Sequence, residues 1–277
     1  MHKIKAIISD ADGTLINTVY LIRHGQYEAA VAYLISRGVT RQDIPRYEVY
    51  ESSINKAIGG STRETFEKTL RLLFKDIHEH HLSKINFDEL DATLGPIQDT
   101  IAPLHVHPFP GLTELFDWLG ANDISLGIFS SGSPHHIVRN FGIALPVLGY
   151  TDLFRSSQSS DYEKLEAFIE RIKGVYGLPR FAVVTCDDVT KNKPDPESIL
   201  KVIDKLGITA NEAIVLGDHA VDMLAARAAG VYAIGISHGF GTPAELKEAG
   251  ANRIVDDLAS LPSLIEAHNS GKAPLFS

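Results

Sequence analysis

Short apolar runs recur along the chain and, in its second half, alternate with segments of helical periodicity. Runs this short, bounded by polar or turn residues, are typical of strands that are buried on both faces. Strands that alternate with helices predict a parallel α/β sheet. The predicted strands are "IKAIIS" (4–9), "ISLGIFS" (124–130), "FAVVTC" (181–186), "AIVLG" (213–217) and "VYAIGIS" (231–237), and the later helices are "GLTELFDWLGAND" (111–123), "PESILKVIDKLGI" (196–208) and "VDMLAARAAG" (221–230).

The alternation stops after the first predicted strand. Helical spacing of apolar residues appears in "YEAAVAYLISRG" (27–38) and "STRETFEKTLRLLF" (61–74), and the region between them and the second strand has no convincing strand pattern. We therefore predict an α/β core made of residues 1–17 and 106–277. An inserted helical domain is predicted at 18–105.

Composition and charge narrow the classes of partner. The 277 residues are 44% hydrophobic and carry a formal net charge of -9, which is enough for a sizeable core and argues against nucleic-acid binding. Small anionic substrates stay compatible, because a local positive site can lie within an acidic protein. The single cysteine, Cys186, excludes an intrachain disulfide and a cysteine zinc cluster. With no long apolar run, we expect a cytoplasmic monomer or homodimer without membrane contact.

Polar residues follow four of the predicted strands. In open parallel sheets, ligands bind beyond the carboxyl ends of the strands, so we expect these residues to meet at one edge. Crowded carboxylates repel one another unless a cation neutralises them, and Mg²⁺ prefers carboxylate, water and phosphate oxygens. The residues are Asp10 and Asp12 after the first strand, Ser130 or its neighbour Ser131 after the second, Lys193 or the nearby Lys191 beyond the third, and Asp218 and Asp222 after the fourth.

This set of residues suits phosphoryl transfer. One carboxylate can attack phosphorus to form an aspartyl-phosphate. A second carboxylate two residues away can protonate the leaving oxygen and then deprotonate the water that hydrolyses the intermediate. The ammonium of Lys193 and the hydroxyl of Ser130 can bind phosphate oxygens.

Four motifs in the same order resemble the haloacid dehalogenase superfamily of phosphohydrolases. "DADGTL" matches the first motif, Ser130 the second, Lys193 in "KPDP" the third, and "GDHAVD" the fourth. The resemblance extends over nearly the whole chain and is similar to the phosphoglycolate phosphatase-like branch. It implies a Rossmann-like core with an inserted helical cap that closes over the substrate.

The resemblance also implies a role for each matched position. Asp10 would be the nucleophile and a ligand of Mg²⁺. Asp12 would be the general acid and base and would offer its backbone carbonyl to the metal. Ser130 and Lys193 would bind the phosphoryl group.

The fourth motif contributes the remaining implied metal ligands. Asp218 would ligate Mg²⁺ directly or through water, and Asp222 would support the metal or Lys193. His219 departs from the family, which often has a small hydroxyl residue at this position. The segment before Lys193 is longer than usual, so we expect the helical stretch 159–177 to be an extra lid or an oligomer contact.

The inserted domain offers one candidate for substrate binding. In "GGSTRE" (59–64), Ser61 or Thr62 would cap a helix. Arg63 would then either point its guanidinium at a second anionic group of the substrate or face solvent.

The other polar clusters receive simpler interpretations. His78, His80 and His81 lack the spacing and the cysteines of a zinc site, so a solvated surface is expected. We expect Asp187 and Asp188 to be turn residues, His135 and His136 to begin a surface helix, and Cys186 to pack among apolar residues.

We therefore predict a Mg²⁺-dependent phosphatase that acts on a small phosphorylated metabolite. The runner-up is a sugar-phosphate mutase, because "GGSTRE" resembles the cap loop of β-phosphoglucomutase. Asp12 argues against a dehalogenase or a phosphonate-cleaving enzyme, neither of which needs an acid there. A non-catalytic phosphate-binding or receiver-like module is the alternative from another class, and the presence of both Asp10 and Asp12 argues against it.

Overall fold

The five predicted apolar runs form parallel strands of one sheet, which confirms the predicted α/β class. A computed structural model describes residues 2–57, 62–75, 85–149, 159–273 and 275. In the described part of the chain, the strands are β1 (Ala6–Ser9), β2 (Ile16–Asn17), β3 (His107–Pro108), β4 (Ser125–Phe129), β5 (Phe181–Val184), β6 (Ala213–Gly217), β7 (Tyr232–Ile236) and β8 (Arg253–Val255). The main sheet has the order β5-β4-β1-β6-β7-β8, so that β1 is central.

Helices connect the strands and form a separate group near the start of the chain. Among the described residues, no helix combines the length and the apolar character needed to cross a membrane. The described α-helices are α1 (Val19–Ser36), α2 (Tyr47–Ala57), α3 (Thr62–Lys75), α4 (Phe87–His105), α5 (Leu112–Ala121), α6 (Pro134–Ala144), α7 (Asp161–Tyr176), α8 (Glu197–Leu206), α9 (Ala220–Ala228), α10 (Pro243–Glu248) and α11 (Leu261–Asn269).

The central strand is apolar because both of its faces are covered. All four residues of β1 are buried, and Ile8 pairs in register with Gly127 of β4 and Val215 of β6. One face packs against α8 and α9, whose buried side chains recur at helical spacing. In α8 these are Ile199, Val202 and Leu206. Such a strand leaves no polar position until it ends, so its first charged residue stands at the sheet edge.

The chain divides into two compact units. Unit 1 contains Met1–Asn17 and His107–Ser277, and unit 2 is Thr18–Val106. In unit 1, the two ends that flank the insertion pair as the antiparallel strands β2 and β3, with Ile16 opposite Pro108. This short pairing holds together the two points at which the chain leaves and re-enters unit 1.

Unit 2 consists, in its described residues, of α1 to α4 around an apolar core. Asn86 caps α4, since its side-chain oxygen accepts hydrogen bonds from the N–H groups of Asp88 and Glu89. His78, His80, His81 and Ser61 lie outside the described residues, as do the two glycines of "GGSTRE".

The predicted helix in 159–177 is present as α7, but it belongs to the packing of unit 1. Ser160 and Glu163 form a capping box at its start. Phe168 is fully buried between α6 and β5, with its ring centroid 5.5 Å from that of Phe141 and 6.0 Å from that of Phe181. The expectation of an extra lid is therefore wrong, because this helix covers the edge of the sheet. The alternative of an oligomer contact stays a prediction.

Candidate active site

Asp10 extends the central strand by one residue into the carboxyl edge of the sheet. Its N–H donates to the carbonyl of Leu216 on β6 at 2.9 Å, and its side chain is buried. The chain then turns at Gly13, which has a φ of +88°, and the Gly13 N–H donates to the carbonyl of Ile16 at 2.8 Å. A Cβ at Gly13 would lie 2.5 Å from Oδ2 of Asp218, so only glycine fits this turn.

Lys193 lies at the centre of the buried polar side chains. Its Nζ donates to Oδ1 of Asp10 and, over 2.8 Å, to Oδ1 of Asp222. The ammonium lies 4.0 Å from the ring centroid of Phe129, and the residue is only 5% exposed. Lys191, the competing candidate, is exposed and faces Asp195 at 3.7 Å. The structure therefore brings Lys193, and not Lys191, to the carboxylates.

Asp222 is fixed by the first turn of α9. Its Oδ2 accepts a hydrogen bond from the N–H of His219 at 3.0 Å, while its Oδ1 faces Lys193. His219 and Asp222 form a capping box at the start of α9. In it, Nδ1 of His219 accepts a hydrogen bond from the N–H of Val221 at 3.5 Å. His219 thus performs the capping that a small hydroxyl residue would perform at this position, and burial lowers the pKa of its imidazole.

Asp218 is the most enclosed of the carboxylates, at 1% exposure. The hydroxyl of Thr14 donates to its Oδ1 at 2.5 Å, and the N–H of Phe240 donates to its Oδ2 at 2.7 Å. One oxygen from each of Asp10, Asp218 and Asp222 lies within 4.8 Å of the others. We call these three carboxylates and Lys193 the carboxylate–lysine cluster.

Burial and the neighbouring charges shift the pKa values of the cluster. Burial raises the pKa of Asp10 well above its ordinary value, against the opposing effect of Lys193, and the charges of Asp222 and Asp218 add to the rise. Burial and the charge of Asp222 raise the pKa of Asp218 to about 7. Burial alone would lower the pKa of Lys193, but the charges of Asp10 and Asp222 outweigh it and raise that pKa.

This donor set fits a hard divalent cation. Three carboxylates against one ammonium leave the cluster short of positive charge, and their oxygens are close enough to share one ion. Oxygen donors of this type suit Mg²⁺ better than a soft metal.

The turn after β4, which contains Ser130 and Gly132, lies close to Asp12. The Ser130 N–H donates to the carbonyl of Val184 at 2.9 Å, and the Gly132 N–H donates to the Ser130 hydroxyl at 2.9 Å. A Cβ at Gly132 would lie 3.3 Å from Oγ of Ser130 and 3.6 Å from Oδ2 of Asp12. Ser130 is buried next to the backbone of this turn, whereas Ser131 is partly exposed.

Arg63 lies in α3 of unit 2 and has partners there. Its guanidinium pairs with Asp88 at 2.5 Å and with Glu67 at 3.3 Å, and about half of its side chain is exposed. The contact with Asp88 joins α3 to α4. The suggested role of Arg63 in substrate binding stays a prediction.

Three features of this site are not evident from the four motifs. Thr14 belongs to the first motif, but its partner Asp218 lies 204 positions away in the sequence. Asn140 of α6 donates to Oδ1 of Asp12 at 2.8 Å. The loop 238–241, "HGFG", wraps Asp218 through the Phe240 N–H, and a glycine-flanked aromatic directly after a predicted strand was an available signal for it.

The remaining polar residues behave largely as expected. Asp188 caps a short 3₁₀ turn by accepting from the N–H and hydroxyl of Thr185. His135 and His136 lie in the first turn of α6 and are partly exposed. Cys186 is half-buried, not fully packed, and burial raises the pKa of its thiol to about 12.

A parallel sheet with carboxylates and a lysine buried at its carboxyl edge defines an α/β enzyme. The chain belongs to the haloacid dehalogenase-like hydrolase family, whose model matches residues 4–230. The four motifs of the sequence lie in this range.

Two named relatives and one solved structure agree with membership of this family. The chain is 28% identical to a phosphoglycolate phosphatase of Agrobacterium fabrum, over 94% of this chain and 91% of the relative. It is 25% identical to the pyrophosphatase PpaX of Listeria welshimeri, over 95% and 97% of the two chains. A solved hydrolase from Pseudomonas syringae superposes with a TM-score of 0.65 at 23% identity, over 95% and 98% of the chains, which shows a shared fold.

Proposed function

We propose that the protein is a Mg²⁺-dependent phosphatase that hydrolyses a small phosphomonoester through an aspartyl-phosphate on Asp10. The observation that carries the proposal is the carboxylate–lysine cluster, in which Asp10 ends the central strand within reach of Lys193. Family membership and the two relatives named as phosphatases support hydrolysis of a phosphorylated substrate.

Asp10, Asp218 and Asp222 would hold Mg²⁺, with the backbone carbonyl of Asp12 as a further donor. Bound there, the cation would neutralise carboxylate charge and stabilise the charge on the phosphoryl oxygens. The need for it follows from the three carboxylates that lie close together against one ammonium; their burial, together with their like charges, raises the pKa values of Asp10 and Asp218.

Asp10 carries out the attack on phosphorus, and Asp12 carries out the proton transfers. A carboxylate oxygen of Asp10 attacks phosphorus, and the bond from phosphorus to the leaving oxygen breaks as Asp12 gives that oxygen a proton. Asp12 then takes a proton from the water that attacks the aspartyl-phosphate, so that free phosphate and the original Asp10 carboxylate result. Lys193 favours the ionised form of Asp10, and together with Ser130 it binds the phosphoryl oxygens.

Unit 2 is proposed to be the cap of this enzyme. In the described part of unit 2, its Arg63 pairs with the exposed Asp88 and the partly exposed Glu67, and such surface pairs contribute little stability. The guanidinium can therefore exchange Asp88 for an anionic group of the substrate at small cost. We propose that Arg63 binds a second anionic group on a small metabolite.

Hydrolysis of p-nitrophenyl phosphate tests the proposal. We expect turnover with Mg²⁺, none after chelation with EDTA, and none in the Asp10→Asn variant with Mg²⁺ present. Mass spectrometry of acid-quenched protein should find a phosphate adduct on the peptide that contains Asp10. Turnover retained by Asp10→Asn would overturn the assignment of the nucleophile.

A substrate panel then separates the phosphatase from a mutase. Phosphoglycolate, pyrophosphate, sugar phosphates and nucleotides are compared by release of inorganic phosphate. β-Glucose 1-phosphate forms a separate arm, in which glucose 6-phosphate with little free phosphate would identify a mutase instead.

A further inference from the structure

Two adjacent polar side chains of α6 are buried in a line that leads to Asp12. Arg139 and Asn140 are 2% and 3% exposed. Nε of Arg139 donates to Oδ1 of Asn140 at 3.0 Å, and Nδ2 of Asn140 donates to Oδ1 of Asp12 at 2.8 Å. Arginine is almost never fully buried unless it is paired, and here one of its hydrogen bonds goes to the residue that contacts Asp12.

Arg139 decides which end of the Asn140 amide faces Asp12. A guanidinium has donors and no acceptor, so the amide oxygen has to face Arg139. The amide NH₂ group is thereby directed at the carboxyl group of Asp12. A reversed amide would set two donors against each other at Arg139 and two acceptors against each other at Asp12.

The donated hydrogen bond also selects the oxygen of Asp12 that carries a proton. Oδ1 already accepts from Asn140, so the protonated acid keeps its hydrogen on Oδ2. Oδ2 is the oxygen beside the Ser130 turn, because a Cβ at Gly132 would lie 3.6 Å from it and 3.3 Å from Oγ of Ser130. The acidic proton thus faces the side where Ser130 would bind the phosphoryl group.

We propose that Asn140 and Arg139 are positioning residues that aim the acid of Asp12 at the leaving group, an inference that rests on the proposed phosphatase reaction. In the first step, Asp10 bonds to phosphorus and the leaving oxygen separates from it. The proton on Oδ2 passes to that leaving oxygen. In the second step, the attacking water returns a proton to Oδ2.

Leaving groups of graded basicity distinguish positioning of an acid from general support of the fold. The value of kcat/KM reports only the steps up to departure of the leaving group, so it isolates the step in which Asp12 donates. 2,4-Dinitrophenyl phosphate leaves without a proton, whereas phenyl phosphate needs one. For the isosteric Asn140→Asp variant with saturating Mg²⁺, we expect kcat/KM to fall more than about tenfold with phenyl phosphate and less than about threefold with 2,4-dinitrophenyl phosphate.

Two further variants should give the same pattern. Arg139→Met removes the donor that orients the amide, and Asn140→Leu removes the amide, so either can be used if the other does not fold. Phe141→Leu is the matched control, since it disturbs the packing of α6 one residue away, and its kcat/KM should change equally across the series. Circular dichroism and thermal melting verify that each variant is folded.

The Asp12→Ala variant separates failure of this inference from failure of the proposed function. If Asp12→Ala shows no selective loss with phenyl phosphate, Asp12 is not the acid and the proposed mechanism is wrong. If it does, and Asn140→Asp loses equally across the series or not at all, the positioning role is wrong. In the Asp12→Ala background, Asn140→Asp should add no further selectivity, because the two residues act on one proton.

Discussion

The hydroxyl of Thr14 donates to Oδ1 of Asp218 at 2.5 Å, across 204 positions of sequence. The same hydroxyl lies 3.4 Å from Oδ2 of Asp10. Thr14 is fully buried, so one short side chain joins the turn after β1 to the end of β6. It thereby orients two of the carboxylates that we propose as metal ligands.

Replacing Thr14 with valine should weaken Mg²⁺ binding. Valine keeps the shape of threonine but removes the donor that orients Asp218, and loss of such a supporting hydrogen bond typically costs about 10–100-fold in metal affinity. Isothermal titration with Mg²⁺, together with the Mg²⁺ dependence of p-nitrophenyl phosphate hydrolysis, measures the change. Thr14→Ser keeps the hydroxyl and should bind Mg²⁺ nearly as wild type does; equal loss in both variants would contradict this role.

Much of the candidate site could be predicted because it lies at strand ends. β1, β4 and β6 are short apolar runs that are followed directly by Asp10, Ser130 and Asp218, and parallel strands bring such ends together. Lys193 followed from its motif, although spacing alone did not exclude Lys191. The exposure of Lys191 and the burial of Lys193 separate the two only once the chain is folded.

The missed elements depend on tertiary packing more than on local pattern. α4 contains Pro96 and Pro103, which disfavour a helix interior, yet Leu90, Leu94 and Ala102 are buried along one face. The contact of Asp218 with Phe240 uses a backbone N–H, which no side-chain pattern reveals. β8 has only three residues, too few to show a period.

Removing the charge of Lys193 should destabilise the protein and stop turnover. Lys193→Met leaves Asp10 and Asp222 buried without their cation, and breaking a buried ion pair in this way typically costs about 3–5 kcal/mol. Urea unfolding in EDTA measures the free energy of unfolding, and p-nitrophenyl phosphate measures activity. Lys191→Met, at an exposed site, should change the free energy of unfolding by less than about 0.5 kcal/mol and keep activity. Comparable effects of the two substitutions would show that the wrong lysine has been assigned.

The metal-free protein should lose stability as pH rises because of Asp218. Its pKa is about 7 in the folded protein, against an ordinary value of 3.8, so between these two values the folded state binds more protons than the unfolded state. Stability then falls with rising pH across that range. Urea midpoints in EDTA at pH 5, 6, 7 and 8 should show a decline that Asp218→Asn reduces.

Added Mg²⁺ should reverse this decline, since bound cation favours the ionised carboxylates. The comparison with Asp218→Asn removes contributions common to both proteins, including those of His219 and His238, whose pKa values burial lowers. A wild-type midpoint that rises from pH 5 to pH 8 in EDTA more steeply than that of Asp218→Asn would refute the assignment.

Arg63 should affect substrates that carry a second anionic group. If its guanidinium leaves Asp88 to bind that group, Arg63→Met should raise KM about tenfold for such a substrate and leave p-nitrophenyl phosphate unchanged, as expected for loss of one charge-assisted hydrogen bond. Steady-state kinetics with the best substrate of the panel measures this. Arg71→Met is the control on the same helix, because Arg71 stacks over the Phe87 ring at 5.0 Å. If the wild type, Arg63→Met and Arg71→Met have identical KM values, Arg63 does not bind the substrate and serves only the packing of unit 2.

The loop 238–241 requires glycine at position 239, and an added methyl group there should damage the site. A Cβ on Gly239 would collide with the carboxylate of Asp218, so the loop would move and its Phe240 N–H would lose the Oδ2 atom. We expect Gly239→Ala to lower the free energy of unfolding by about 1–3 kcal/mol and to weaken Mg²⁺ binding.

Gly174→Ala is the matched control, because Gly174 lies inside α7 with no atom within 4 Å of an added Cβ. Alanine there should stabilise the helix by about 0.5–1 kcal/mol. Urea unfolding and Mg²⁺ titration distinguish the two, and a Gly239→Ala protein with wild-type stability and Mg²⁺ affinity would show that the loop does not shape the Asp218 site.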